Sequence, residues 1–396
     1  MSGPARHVGT ADRRARLASR HFLASAGSTV EEVAGAVVGL HATDPVSVYL
    51  SALARVPALT IPDVEAALYE RRSLLKVLGM RRTMFVVPPG LAGVVDAACT
   101  RALSSAEHSR LRKVLESQGV ADDAAAWIGR MGDLVVADLR ENGEATTREL
   151  TRRLPELDIR VVLGEGSKWA TEVSVASRVL MLLAIDARII RARPLGSWLS
   201  SQYRWAPTDE WAPGVLTPIE AGEALADLVR RWLAAYGPGS TEDLVWWTGL
   251  TKKAVTGALR DAGAIGVSTD DGEGWLMPDD VDEPPAPAEP WVALLPALDP
   301  AVMGWKRREW YLAPAMVPRL FDRNGNAGPT VWASGEVVGG WAQRRDGSVA
   351  VELLADVDVS ARTMIDRRAR ELSEWFGGVV ATPRFRTPLE RELSAT

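Results

Sequence analysis

The sequence predicts a mainly α chain with small β elements: three tandem winged-helix modules followed by a C-terminal β-barrel. Three observations predict it. Helix-start signals recur ahead of short amphipathic stretches. Groups of helices are followed by paired β-rich runs. The last quarter then changes to short alternating runs broken by Ser-Gly, Gly-Gly and Asp-Gly turns.

The first module (1–100) is the clearest. Ser28 and Glu31, with Thr29 and Glu32 repeating the spacing, open a helix over about 30–40 as a capping box would. Asp44-Pro45 reads as an N-cap followed by proline in the first turn, starting a helix to about Arg55. Thr60, Pro62 and Asp63 start a third helix over about 62–71. Two β-rich runs, "SLLKVLG" and "TMFVV", follow, joined by "MRR". Three short helices and then a hairpin is the order of a winged helix, whose third helix and wing usually face DNA.

The second module (101–212) repeats the pattern loosely. Thr146 and Glu149 have capping-box spacing, a long helix is expected from about Lys168 to Leu183, and "ARIIRAR" reads as a strand. The third (213–282) is a fuller copy. Its "STEDLVWWTGLTKKAVTGALRDAGAIGVSTDDGEGWLM" gives helix, Gly249 turn, helix, Gly263 stop, strand, turn, strand, with Trp246-Trp247 in its core. The last module (283–396) begins with an acidic, Pro-rich, stiff linker over 282–290. The barrel comes next, and an amphipathic helix over about 358–376 closes it. Fourteen of the fifteen tryptophans follow residue 150, so the later modules hold most of the indole surface.

At 396 residues, 47% hydrophobic and 24% charged, the composition is that of an ordinary soluble protein of several modules. No run of 18 apolar residues spans a membrane, and the N-terminus lacks the apolar middle of a secretory signal. A single cysteine, Cys99, fits a reducing cytoplasm. With one Cys and four His, all before residue 109, no metal-ligand spacing exists and neither metal nor cofactor is expected. The net charge of −5 hides an asymmetry. Residues 1–120 carry 15 basic against 10 acidic side chains, whereas residues 269–290 hold eight acids and no base. A basic face toward a polyanion is therefore permitted.

From about residue 12 to 345 the chain resembles the tandem winged-helix DNA glycosylases of the AlkZ and YcaQ type. The resemblance rests on "GLHATDPVSVYLSALARVPALTIPDVEAALYERRSLLKVLGMRRTMFVVPP", "SSQYRWAP" and "LLPALDPAVMGWKRREWYL". It implies three winged helices forming a concave DNA surface, a C-terminal β-barrel, and excision of bulky or crosslinking alkylated purines. Several such proteins protect producers of DNA-alkylating antibiotics. Where the family carries Gln-x-Gln or Gln-x-Asp to position the attacking water, this sequence has His41-Ala42-Thr43. Where the wing usually runs Gly-Thr-Leu-His, it reads Arg82-Thr83-Met84-Phe85.

Hydrolysis at an N7- or N3-alkylated purine starts from a cationic leaving group, so a general acid is dispensable. What is needed is a held water and support for oxocarbenium character. A neutral imidazole at His41 can accept the water's proton, and Thr43 can supply a second hydrogen bond. Asp44 is either the N-cap alone or also a group that orients His41 or faces the cationic sugar. Equally, His41 and Thr43 are residues a plain turn can hold by local bonds. Arg71, Arg72, Lys76, Arg81 and Arg82 place five cations in twelve residues with no acid among them, a phosphate grip if they sit on the wing. Arg13, Arg14, Arg16 and Arg20 would extend that surface. Lys168 at a helix start, Arg204 between two aromatics, and Lys306 with Arg307 are further backbone contacts, although Arg204 has the plainer reading of packing. With only Phe22, Tyr49, Tyr69 and Phe85 as aromatics in the first module, a shallow cleft is expected instead of a stacking cage. The reading is a cytoplasmic, nucleoid-associated, monomeric and monofunctional DNA glycosylase acting on alkylated duplex DNA. The rivals are a non-catalytic DNA-binding regulator or damage sensor of the same fold, and a protein that sequesters a genotoxin.

Overall fold

A computed structural model describes residues 6–168, 170–282 and 289–395; the middle of the Pro-rich linker, 283–288, lies outside the described residues. The first unit opens with strand β1 (His7–Val8) and helix Thr10–Arg20. Helix Val30–Ala36 follows, capped by Thr29, whose side chain accepts from Glu32 N at 3.1 Å. Val38 and Gly39, both at positive φ, then swing the chain into β2 (Leu40–His41). A side chain at Gly39 would meet Val87 at 2.9 Å, so this turn needs glycine both for conformation and for space. Helix Pro45–Leu53 and a helix running from Ile61 through a π-turn to Glu70 come next, the latter with the Thr60–Asp63 capping box. Strands β3 (Leu75–Leu78) and β4 (Met84–Val87) complete an antiparallel sheet in the order β2-β4-β3.

The second unit contains helices Ser104–Ser117, Ala124–Asn142 and Thr147–Arg153, then hairpin β5 (Arg160–Leu163)/β6 (Thr171–Ser174). Helix Val175–Ile185 and a second hairpin, β7 (Ile189–Pro194)/β8 (Tyr203–Pro207), close it. The long helix therefore starts at Val175 and not near Lys168. The turn around Gly164 and Gly166 makes Thr171–Ser174 a returning strand, and continuous apolar character begins only after it. The third unit runs Ala221–Tyr236, Thr241–Thr248, Gly249 in the left-handed conformation, Lys252–Asp261, β9 (Ile265–Thr269) and β10 (Gly272–Leu276). The N-terminal β1 adds to this sheet in parallel, pairing His7 with Ser268.

The C-terminal unit is an open sheet and not a barrel. Strands β11 (Val292–Leu295), β12 (Thr330–Ala333), β13 (Glu336–Gln343) and β14 (Val349–Leu353) lie in sequence order, and β11 and β14 do not pair with one another. Helix Val359–Phe376 packs against both of these outer strands, and helix Pro388–Ala395 packs against β13 and β14. Covering by helices does here what closure does in a barrel.

The buried side chains form two large clusters. One unites the first, third and C-terminal units and takes in Ile190, Ala192, Trp198, Ala206 and Trp211 at the end of the second; the other belongs to the rest of the second unit. Within the first cluster Arg55 and Asp299 form a fully buried pair, with Nη2–Oδ1 and Nη1–Oδ2 both at 2.8 Å. Most of the remaining hydrogen-bonding capacity is used as well. Arg55 Nε donates to His21 O and Nη1 to Ser51 O, while Asp299 accepts from Ser51 Oγ and Ala301 N. Burial alone would raise the Asp299 carboxyl pKa, but Arg55 and these donors outweigh it and hold it below the ordinary value. Leaving one charge of such a pair alone costs about 3–5 kcal/mol, whereas replacing both by apolar groups is far milder. Asp299→Ala is therefore expected to destabilise by about that amount in denaturant melts, and Arg55→Met/Asp299→Leu to recover most of the loss. A double variant as unstable as the single one would contradict this.

Candidate active site

The His41-Ala42-Thr43 segment is not a simple turn. His41 is the second residue of β2 and pairs with Phe85, and Ala42 N donates to Met84 O at 2.7 Å. β2 ends at His41, and Thr43 lies two residues beyond it, in a bend. There Thr43 N donates to His41 Nδ1 at 3.4 Å, and Thr43 Oγ1 accepts from Met84 N at 3.4 Å. The imidazole is 5% exposed, and its centroid lies 5.0 Å from that of Phe85. Burial, and then the charge of Arg81, lower its pKa to about 3. His41 is thus neutral at physiological pH. Because Nδ1 accepts, the proton of the neutral ring sits on Nε2, which has no hydrogen-bond partner among the described residues. The ring offers an N–H donor. A base on Nε2 would require the other tautomer.

Asp44 is committed to structure. Its Oδ1 caps the following helix by accepting from Val46 N at 3.3 Å, and Oδ2 accepts from Arg384 N at 2.9 Å. Burial raises its pKa against these two donors. Arg384 in turn donates through Nη1 to Thr43 O at 3.3 Å. The C-terminal segment thereby pins the corner. Arg384 lies 340 positions from Asp44, and no local signal marks it.

The predicted cations are dispersed. Arg71 is exposed and bonds Glu31 at 2.9 Å, and Arg82, also exposed, bonds Glu107 at 3.0 Å. Arg72 stacks on Trp211 (4.1 Å) and donates to Glu210 O and Trp211 O. Lys76 donates to the Tyr69 hydroxyl. Arg81, held at φ 54°, stacks 4.1 Å over Trp246, so the tip of the first hairpin docks on the third unit. A side chain at Gly249 would come within 3.2 Å of the Arg81 Cα, which explains a glycine at that contact beyond its helix-ending role. Lys168 is exposed at the β5–β6 turn. Lys306 and Arg307 both pair with Glu242, at 2.5 and 3.2 Å, while their backbone N–H groups bond Asp243.

The N-terminal arginines are engaged by acidic side chains and a carbonyl. Arg13 pairs with Asp271, Arg14 with Glu336, and Arg20 with Asp280, while Arg16 donates to Asp280 O. Asp271 and Asp280 of the acidic stretch thus supply the partners of Arg13, Arg16 and Arg20.

Arg204 is half-buried on β8, but the guanidinium stacked on its two aromatic neighbours is that of Arg191, from the facing strand. Arg191 lies 4.0 Å from the Tyr203 ring and 5.7 Å from the Trp205 ring. With Lys76, Met84, Tyr203 and Trp205 it lines a cavity of about 480 Å³ between the first sheet and the second unit. Aromatic surface therefore reaches the neighbourhood of the corner from another unit, where the first module's own composition suggested only a shallow cleft. Among the described residues no group of three or more His, Cys, Asp or Glu is placed to hold a metal ion, and no helix is long and apolar enough to cross a membrane.

The sequence profile described as "DNA glycosylase AlkZ-like" matches residues 34–393. The chain belongs to the AlkZ-like DNA glycosylase family. The solved structure of Streptomyces sahachiroi DNA glycosylase AlkZ superposes with a TM-score of 0.70 at 19% identity, covering 95% of this chain and 98% of that one. At that identity the likeness shows a shared fold. No curated protein sequence matches the chain. The family match spans the corner, the hairpin, Asp299 and Arg384 alike, so the pinned corner is part of the matched region.

The two buried histidines make stability depend on pH. His21, fully buried and bonded through Nε2 to Ala235 O, also has its pKa lowered to about 3 by burial. Both would titrate near 6.5 when unfolded, so between about 3 and 6.5 the unfolded chain binds more protons. Their contribution is complete above that window and is lost as pH falls, by about 1.4 kcal/mol per pH unit per histidine. The melting temperature should therefore drop between pH 7 and 5, with a shallower slope in His41→Gln. An unchanged slope would refute a buried neutral His41.

Proposed function

We propose that the protein hydrolyses the N-glycosidic bond of N7- or N3-alkylated purines in duplex DNA, with His41 and Thr43 holding the attacking water. The observation that carries this reading is the presence of two water-binding groups just past one strand end, namely a neutral Nε2–H without a partner among the described residues and the hydroxyl of Thr43. The N7- or N3-alkylated base leaves without needing a proton. A water held by hydrogen bonds beside C1′ then suffices: a donor holds one oxygen lone pair, the other attacks C1′ as the bond to the purine nitrogen breaks and the base leaves neutral, and the proton lost passes to solvent water. This assigns His41 a positioning role for water in place of proton abstraction. Asp44 supports it indirectly, by fixing the corner through the helix cap and Arg384. The reaction class is that of a monofunctional glycosylase, without cofactor or metal.

The three helical units with their hairpins are read as winged helices, over 1–100, 101–212 and 213–282, that together form the DNA surface. Lys168 and Arg204 are the predicted cations best placed for phosphate, by exposure or half-exposure, and Arg384 joins them beside the corner. Arg71, Arg82, Lys306 and Arg307 would have to leave acidic partners to do so, an exchange that exposed ion pairs make at small cost. The reading further places a monomer in the cytoplasm, at the nucleoid, acting in repair or genotoxin resistance.

Duplex DNA carrying an N7-alkylguanine should yield alkali-labile abasic sites with the wild-type protein. His41→Ala should reduce single-turnover excision by about 10²–10³-fold, the scale of losing one transition-state-oriented donor, while leaving duplex affinity unchanged. Unchanged excision in that variant would remove His41 from the mechanism. No excision of any alkylpurine, with affinity intact, would favour the non-catalytic DNA-binding reading.

A further inference from the structure

Lys76 and Arg191 meet across two units with no anion between them. Lys76 lies on β3 and Arg191 on β7, strands that pack against each other. Both side chains line the cavity of about 480 Å³ between the first sheet and the second unit. The Lys76 amine donates to the Tyr69 hydroxyl and lies 4.9 Å from that ring. Arg191 rests on Tyr203 and Trp205. Among the described residues neither cation has a carboxylate within ion-pair distance, and the nearby acids are spent elsewhere. Glu65 pairs with Arg193 at 3.2 Å, Asp96 with Arg101, and Glu172 with Arg160. Arg193 also lies over the Tyr69 ring, at 4.8 Å, which adds a third positive group.

Burial first, and then the charge of Arg191, lower the Lys76 pKa to about 7 against the pull of Glu65. Roughly half of the amine is thus unprotonated at neutral pH, against roughly a few parts in ten thousand for an exposed lysine. An uncharged amine is a nucleophile. Exposed Arg160 and Glu172 stand at the edge of the cavity, so small solutes reach it from solvent. Cations held out of water without a counter-ion are costly, and an anion beside them relieves that cost. The amine can become that anion itself.

We propose that Lys76 is a carbamate-forming site, whose amine takes up carbon dioxide reversibly to make an anion that pairs with Arg191. The Nζ lone pair bonds to the carbon, one C=O π pair moves onto oxygen, and Nζ gives one proton to solvent. The product, –NH–COO⁻, requires no oxidant or reductant. Burial raises the Tyr69 phenol pKa, so its hydroxyl stays protonated and can donate to the carbamate. A tethered carboxylate also avoids the association cost that a free anion incurs. The carbamate ties β3 of the first unit to β7 of the second, and without carbon dioxide both cations remain. This site stands independently of base excision.

The test uses full-length protein labelled with ¹⁵N at lysine Nζ and equilibrated with ¹³C-bicarbonate at neutral pH. The wild type should show one ¹³C–¹⁵N carbamate correlation that saturates with bicarbonate. The chain has six lysines, and the signal should vanish in Lys76→Arg. Arg191→Gln, which keeps the amine, should raise the bicarbonate needed for half-saturation about tenfold, the worth of one charge-assisted contact. Bicarbonate should also raise the wild-type melting temperature above that in chloride of equal ionic strength, and leave Lys76→Arg unmoved. Melts without bicarbonate show whether each variant is folded, and the wild-type spectrum is decisive even where one is not. No correlation in the wild type would overturn the proposal, as would one that survives in Lys76→Arg. So would an equal rise in melting temperature in both proteins, which marks a freely bound anion.

Discussion

The buried Arg55–Asp299 pair is the constraint on which the rest of the arrangement depends. Arg55 lies just beyond helix Pro45–Leu53, which begins at the His41–Asp44 corner, and Asp299 leads the short helix after the first strand of the C-terminal sheet. A doubly hydrogen-bonded pair at zero exposure tolerates little displacement, because each group of it would be stranded without water. It therefore fixes the end of one helix against a unit 244 residues away. The start of that same helix is fixed by Asp44 to Arg384. Held at both ends by the C-terminal unit, the helix keeps the corner in one geometry, as water positioning requires.

Electrostatics in this protein is mostly internal. The basic N-terminal helix and the acidic stretch after residue 269 look like separate charged regions when the chain is read linearly, and the fold sets them against each other. What is left near the corner is a smaller and more buried set of cations: Arg81 on Trp246, Arg191 on Tyr203, Lys76 on Tyr69, and exposed Arg384. Aromatic faces, not carboxylates, support the first three. Rings support a cation without neutralising it, so the positive potential beside the corner survives folding.

Much of the helical framework was legible because its signals are local. Thr60 with Asp63, Thr146 with Glu149, and Asp44 before Pro45 each cap a helix where the spacing places it. Ser240 with Asp243 and left-handed Gly249 mark the two-helix turn of the third unit in the same way. The corner itself was legible as a candidate through its residue types, whereas its strand character was not. Two residues of β2 carry no periodicity, and only the partner β4 makes them a strand. Lys168 shows the opposite case, where the helical periodicity reads backwards from Val175 through Thr171–Ser174, which the hairpin makes a strand. The open C-terminal sheet, Arg384 against Asp44, and Arg191 on the aromatic pair that flanks Arg204 all depend on contacts between distant segments. Arg191 was hidden in "ARIIRAR", where alternation marks a strand but does not say which rings its arginines will meet.

Water positioning at the corner requires a neutral imidazole with its proton on Nε2. Long-range ¹H–¹⁵N correlation spectra of imidazole-labelled protein test this directly, with His41 assigned by its loss in His41→Gln. The Nε2–H tautomer is expected, unchanged as pH falls from 8 to 5. A His41 that titrates near 6.5, or carries its proton on Nδ1, would contradict it and return the ring to the role of a base or of an ordinary surface residue.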